Sequence, residues 1–481
     1  MSISETSTEV ARRRRPTEQG ELKRSMGLWM ATALVVGNMV GSGVFLLPAT
    51  LAGTAGPISI LAWIFTGIGA MLLGLVFARL GRALPKTGGP YAYARRAFGD
   101  FIGFQTAWGY WIAAWAGNAA IAIAFAGYLA VFWGRASTGW IATIIAIALV
   151  WLTTLINIAG VRQSGVVQLV TTVLKFVPLL LIAVVGLFFM KTGNFHPFTI
   201  KHGGDWGINS AAILTLWAFI GLESATVPAE EVRDPERTIP RATIIGTLAT
   251  ALLYLVATVS IFGMISSNAL AKSTSPFADG ANVIFGGTWG GKAIAIVAMI
   301  SIFGALNGWV LLQGRVPLAA AEDGLFPKQF GRVHGKRGTP VFALVVSSAL
   351  ITGLLLLYVK SSLVDTFYNV ILLATLTTLV PYAYSAAAQV VLAMREPQRF
   401  ERARFVRDTI IATLAFAYSV WAIAGAGKDI IAKGFVLLLL GVPVYVVMLW
   451  WRGRETAQDA IPEASAQAQV EAAHGREEAM A

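Results

Sequence analysis

Apolar residues in this chain gather into long unbroken runs, not into the stripes expected of soluble helices or the alternation of half-buried strands. A run of about 20 apolar residues is what a helix needs to cross a bilayer. Twelve such runs can be placed, near residues 27–52, 58–79, 102–131, 139–158, 165–189, 209–229, 242–267, 291–314, 340–359, 366–392, 408–426 and 434–451. The pattern predicts an all-α polytopic membrane protein of twelve transmembrane helices. The polar stretches 1–25 and 453–481 read as tails. The first run is too long, and starts too far along the chain, for a cleaved signal peptide.

Polar residues between the runs sort by side. Of the 37 lysines and arginines, 28 fall in the two tails and in the loops after even-numbered runs, including Arg12 to Arg15, Arg95, Arg96, Arg233, Arg237, Arg402 and Arg404. Eight fall in the opposite loops, and Lys175 lies inside a run. Cation-rich loops stay cytoplasmic, so both termini are expected inside. The formal charge of +12 is therefore a topology signal and implies no nucleic-acid partner. Arg12 to Arg15 also suit anionic lipid.

Composition agrees. The 481 residues are 56% hydrophobic and 13% charged, against about 25% charged in soluble domains. Mean hydropathy is +0.68. With no cysteine, thiolate chemistry and thiolate metal sites are excluded.

Two runs contain interruptions. In the first, Gly37, Gly41 and Gly43 fall within seven residues at mid-depth. In the sixth, Gly221 and Glu223 sit mid-run with Pro228 beyond. Glycine in a membrane helix can serve close packing alone. Matched interruptions at corresponding positions of two halves point instead to a transporter's binding site. The halves would be residues 26–190 and 191–393, each with five runs and so inverted relative to one another, with 394–452 holding two peripheral runs. A broken helix offers free N–H groups to a carboxylate and free carbonyls to an ammonium. That chemistry suits an amino acid or an amine.

Three segments now carry a resemblance: Gly37-Asn38-Met39-Val40-Gly41-Ser42-Gly43-Val44-Phe45, Gly88-Gly89-Pro90-Tyr91-Ala92-Tyr93-Ala94-Arg95-Arg96 and Trp217-Ala218-Phe219-Ile220-Gly221-Leu222-Glu223-Ser224. From about residue 26 to 450 the chain resembles the amino acid–polyamine–organocation (APC) superfamily, and within it the basic amino acid/polyamine antiporters, above all the arginine/agmatine exchangers. The resemblance implies a 5+5 inverted repeat with broken helices 1 and 6 plus two peripheral helices. It implies that the Ser42 and Gly43 amides hold the substrate carboxylate and that the Met39 and Ile220 carbonyls face its amine. Trp217 would close over the ligand, and Trp309 would stack on a guanidinium. Ala113, Ala114, Asn118, Ile121 and Ala374 match positions around the side-chain pocket. Tyr110 and Tyr382 match gating tyrosines, and Glu223 a carboxylate of gating and pH response. Ala114 and Ala374 depart from the cysteine and serine of the arginine exchangers, which implies weaker discrimination for a guanidinium and room for a smaller or more apolar substrate.

Ionisable groups inside a membrane are costly and are functional candidates by default. Glu223 reads either as a gate or as a carboxylate capped by nearby amides or Ser224. Lys175 reads either as an amine that snorkels to an interface beside a kink at Pro178, or as a buried functional group. Superfamily branches other than the arginine/agmatine exchangers resemble this chain in having a lysine here. Their amine stands where sodium-coupled relatives hold sodium, bridging the first and eighth runs. Lys175 is then a proton-coupling switch or a fixed internal cation, and sodium dependence is not expected.

The remaining signals are weak. Gly286 to Ala293 nearly spells a phosphate-binding loop, but Ala293 replaces the magnesium-binding hydroxyl. His196, His202, His334 and His474 all lie in loops or tails, so no metal site or cofactor is expected. Gly99 with Gly103, and Gly304 with Gly308, suit helix packing, and Trp108, Trp111, Trp115 and Trp140 suit the core or the interfacial belt. The sequence thus reads as a secondary transporter, not an enzyme, that exchanges amino acids or amines by alternating access. A proton-coupled symporter of broader specificity that uses Lys175 is the alternative, and a transporter-like sensor the remote one. A homodimer is left open.

Overall fold

The computed structural model describes residues 24–200, 207–273, 275–360 and 363–451; at 42, 161–163 and 363–369 the description covers the backbone alone. Arg12 to Arg15 and both tails beyond these limits lie outside the described residues. All twelve expected runs are helical. Eleven are long and apolar enough to cross a membrane, and Val341–Leu357, with 17 residues, lies at the lower limit of a spanning helix. Among the described residues the only β-pairing is an isolated parallel bridge between Met26 and Val232.

Burial sorts these spans into layers. In the first span, Leu28–Thr54, 88% of the apolar window is buried inside the protein, and in the last, Lys428–Trp451, 11%. The first span and the sixth, Ile208–Thr226, therefore form the centre, wrapped by the third, Asp100–Leu129, the eighth, Trp289–Glu322, and the tenth, Leu363–Arg395. The fifth span, Val161–Gly186, turns Val173, Leu174 and Val177 outward while Lys175 is fully buried. Outward apolar side chains are what a lipid-facing surface requires.

Both interruptions are real. The first span is two helices, Leu28–Met39 and Ser42–Thr54, separated by Val40 (ψ 77°) and Gly41 (φ −123°, ψ −133°). The sixth departs further from the expected single run to 229. Its α-helix stops at Phe219, Ile220 turns extended (ψ 130°), Gly221 takes φ 112°, and the chain goes on through single turns at Ser224–Thr226 and Ala229–Glu231. A residue with a Cβ is strained at that Gly221 φ. Pro228 lacks the N–H that a resumed helix would use.

The eighth span also differs. The apolar run ends near 314, but the helix continues to Glu322, so Arg315 is a helical, buried residue and not a loop cation. Its Nε donates to Glu231 Oε1 at 2.5 Å, with both side chains 1% exposed, and its Nη2 reaches the Gly338 carbonyl at 3.5 Å. The polar character of arginine cut the run; the ion pair is what makes its burial tolerable. Short helices at Pro90–Phe98 and Pro276–Phe285 occupy stretches that hydropathy leaves as loops.

Removing one member strands the other, so Glu231→Gln and Arg315→Met are each expected to cost about 3–5 kcal/mol. The double variant should cost clearly less than their sum. Additive losses of thermal stability in detergent would contradict a direct pairing.

Candidate functional site

The site forms where the two breaks meet. A β-carbon on Gly43 would lie 3.1 Å from Ala218 Cβ, and one on Gly221 would lie 3.0 Å from Asn38 Cβ, so glycine is what lets the broken segments touch. Between them is a closed cavity of about 10 Å³, lined by Asn38, Met39, Gly41, Gly43, Ile121, Trp217, Ala218, Ile220 and Trp309. That is room for roughly one water.

A helix that ends inside the protein leaves its last carbonyls without helical partners. Here the carbonyls closing Leu28–Met39 are met one by one. Lys175 Nζ donates to Gly37 O at 2.8 Å and Val40 O at 2.6 Å, and lies 3.5 Å from Ser301 O in the eighth span. Ser301 Oγ donates to Val40 O at 3.1 Å, and Trp309 Nε1 to Asn38 O at 3.2 Å. The Tyr254 hydroxyl lies between Met39 O and Ala218 O, at 3.0 Å from the latter, so one proton serves both broken helices. Lys175 thus bridges the first and eighth spans, and its complete burial excludes snorkelling. At the other side of the break, Ser42–Thr54 begins with no side-chain cap, which leaves its first amides to the cavity side.

Glu223 closes the site on the side of the arginine-rich loops. Tyr110 OH donates to its Oε1 at 2.5 Å, Tyr382 OH to its Oε2, and the Gly221 amide to Oε2 at 3.2 Å. The carboxylate therefore ties the third, sixth and tenth spans together. Of its two expected cappers, an amide serves, while Ser224 Oγ accepts from Asn38 Nδ2 at 2.8 Å. The Tyr110 ring lies 6.3 Å from that of Trp309. On the opposite side Phe45 packs edge-on against Tyr128 (5.5 Å) and Phe277 (5.6 Å), and Tyr128 OH donates to Phe45 O at 3.0 Å.

Met39, Gly43, Ile121, Trp217, Ile220 and Trp309 are brought together around the cavity. The side chain of Ser42 lies outside the described residues. Ala113, Ala114, Asn118 and Ala374 are buried but do not line the cavity in this closed form. Asn118 Nδ2 donates to Gln313 Oε1 at 2.8 Å, while its Oδ1 has no partner among the described residues. Sequence reasoning missed Asn38, Tyr254, Ser301 and Gln313. A polar side chain within an apolar run was the available signal, but serines, threonines and asparagines are too frequent here for it to single these out.

Two half-helices ending on one small cavity within a bundle of apolar spans define a membrane transporter. The chain belongs to the amino acid permease family, whose sequence pattern matches residues 26–449. It is 35% identical over 463 residues to a Bacillus subtilis (strain 168) protein provisionally named an arginine/ornithine antiporter, covering 88% of this chain and 97% of that one. It is 34% identical to the cadaverine/lysine antiporter of Escherichia coli (strain K12), over 88% and 94% of the two chains. Identity to the putrescine transporter PotE of the same strain is 32%, over 87% and 95%.

Gly221→Ala combines a strained φ with a contact at 3.0 Å to Asn38. The change is expected to cost about 1–3 kcal/mol and to lower the Tm in detergent. An unchanged Tm would show that the sixth-span turn does not need glycine.

Proposed function

We propose that this protein exchanges amino acids, cationic ones such as arginine or lysine, and their decarboxylated amines across the cytoplasmic membrane of a bacterium, with both termini inside. The observation that carries this reading is the meeting of two half-helix ends on one cavity, amides from one side and carbonyls from the other. A zwitterion has a group for each. The names of the relatives support a cationic guest.

In this mechanism the substrate carboxylate docks on the Ser42 and Gly43 amides. Its ammonium sits at the Ile220 carbonyl and beside Met39 O, which in this closed form accepts from both Tyr254 OH and the Gly41 amide and must give one of them up to the guest. Trp217 covers the ligand and Trp309 presents its ring face to a distal cation. The unpartnered Oδ1 of Asn118 is the remaining acceptor on that side, which Ala114 and Ala374 leave otherwise apolar. The cavity must widen from its closed volume to admit any of these guests. Opening toward the arginine-rich side breaks the Tyr110–Glu223–Tyr382 cluster; opening the other way parts Phe45 from Tyr128 and Phe277. A ligand that bridges the two half-helices favours closure, so empty carriers return slowly and exchange prevails. The halves 26–190 and 191–393 are the two inverted units that move, with 394–452 peripheral.

One observation favours a second reading. Lys175 Nζ holds carbonyls of the first and eighth spans together, so its loss of a proton would loosen the first-span break. This is the basis for proton-coupled symport.

Labelled arginine or lysine should enter proteoliposomes only when they are preloaded with unlabelled amino acid or amine. Entry into empty vesicles driven by a pH gradient alone would replace exchange by symport, and no movement of any amino acid or amine would support a sensor. Trp309→Ala should weaken calorimetric affinity about 2- to 30-fold, the value of one cation–π contact; unchanged affinity would remove Trp309 from the pocket. Lys175→Ala should abolish accumulation driven by a pH gradient or shift the pH profile of uptake, whereas a wild-type profile would leave the lysine structural.

A further inference from the structure

On the arginine-rich side, three carboxylates are each shared by two guanidiniums. Asp408 pairs with Arg79 (3.2 Å) and Arg407 (3.0 Å). Glu401 pairs with Arg82 (3.0 Å) and Arg404 (2.8 Å), and Glu396 with Arg96 (2.7 Å) and Arg399 (2.9 Å). Each carboxylate carries one negative charge, so the six arginines leave three positive charges unbalanced in this group. Five of them, Arg79, Arg82, Arg399, Arg404 and Arg407, line one cavity of about 560 Å³, where Glu236, Glu401 and Asp408 are the acids. Arg79 Nη1 is buried there with no hydrogen-bond partner among the described residues.

The cavity sits where three spans leave the bilayer. Arg79 and Arg82 are in the last turns of Ser59–Ala83, Glu236 in the first turn of Pro235–Met264, and Arg407 in the first turn of Phe405–Gly425. Directly along the last of these, Val406, Ile410 and Leu414 recur every fourth residue and are 70%, 55% and 50% exposed. An apolar stripe thus runs down from a basic cavity. The topology rule asks only that cations lie on this side. It does not ask for two guanidiniums per carboxylate around one cavity, nor for a donor left unpaired within it.

We propose that this cavity is a binding site for an anionic phospholipid, whose phosphodiester lies among Arg79, Arg82, Arg404 and Arg407 while its acyl chains follow the Val406–Ile410–Leu414 stripe. Guanidiniums suit a phosphate because their paired N–H groups match its oxygens. A soluble phosphate would satisfy the arginines but has no use for the stripe, so the lipid is the occupant that fits both parts. Bound there, the lipid joins the second span to the eleventh, reinforcing the contact that Arg79 and Asp408 already make.

The test is native mass spectrometry of the detergent-solubilised protein with added phosphatidylglycerol or phosphatidylcholine, together with Tm measurements in each lipid. Wild type should retain phosphatidylglycerol in preference and gain Tm from it, since a ligand of the folded state raises apparent stability. Arg404→Gln and Arg407→Gln, both at exposed side chains, should each lower phosphatidylglycerol retention about fivefold without changing the lipid-free Tm. Arg82→Gln serves as a further variant should either lose its lipid-free Tm. Equal retention of the two lipids by wild type, or undiminished phosphatidylglycerol retention in the folded variants, would overturn the site. An equal gain in Tm from inorganic phosphate would assign the cavity to a soluble anion and overturn the lipid.

Discussion

A peptide carbonyl or amide without a partner is costly in an apolar medium, and this fold places several at mid-membrane. Everything near the centre follows from how they are satisfied. The carbonyl end of Leu28–Met39 is held by Lys175 from the fifth span, Tyr254 from the seventh, and Ser301 and Trp309 from the eighth. These are side-chain donors reaching across helices, so the break positions its neighbours as much as they position it. What they leave unmet are the amides opening Ser42–Thr54.

The same economy governs the charges. Glu223 is tolerated because two tyrosines and an amide surround it, and those tyrosines come from the third and tenth spans, so the carboxylate ties both to the sixth. Arg315 and Glu231 solve the problem by pairing with each other, and they join the end of the sixth span to the eighth. On the opposite side the rings of Tyr128 and Phe277 pack edge-on against Phe45. The two sides of the cavity thus differ in kind, one polar and one aromatic.

Much of this was legible in the chain. Hydropathy located twelve runs that are all helical, eleven of them long enough to span, because a bilayer demands a long apolar run from each helix whatever its neighbours. Glycine clusters marked both breaks, because few other residues permit the φ of Gly221 or the approach at Gly43. The resemblance singles out Trp217, Trp309, Tyr110, Tyr382 and Glu223; in the fold the two tryptophans line one cavity and the other three meet in a hydrogen-bonded cluster. Hydropathy ends the eighth run near 314 while the helix runs on through Arg315, since a local apolar count cannot register a counter-charge 84 positions away.

The order of residues was thus enough for the number of spans, the side on which cations gather and the two places where a helix has to stop. These depend on properties local in sequence: apolar length, charge between runs and the absence of a Cβ. Which donors meet the stranded carbonyls, why Lys175 is buried among lipid-facing neighbours, and how six arginines share three acids became clear only in the folded molecule. Each is a contact between spans far apart in the chain, and geometry across helices carries no periodicity along any one of them.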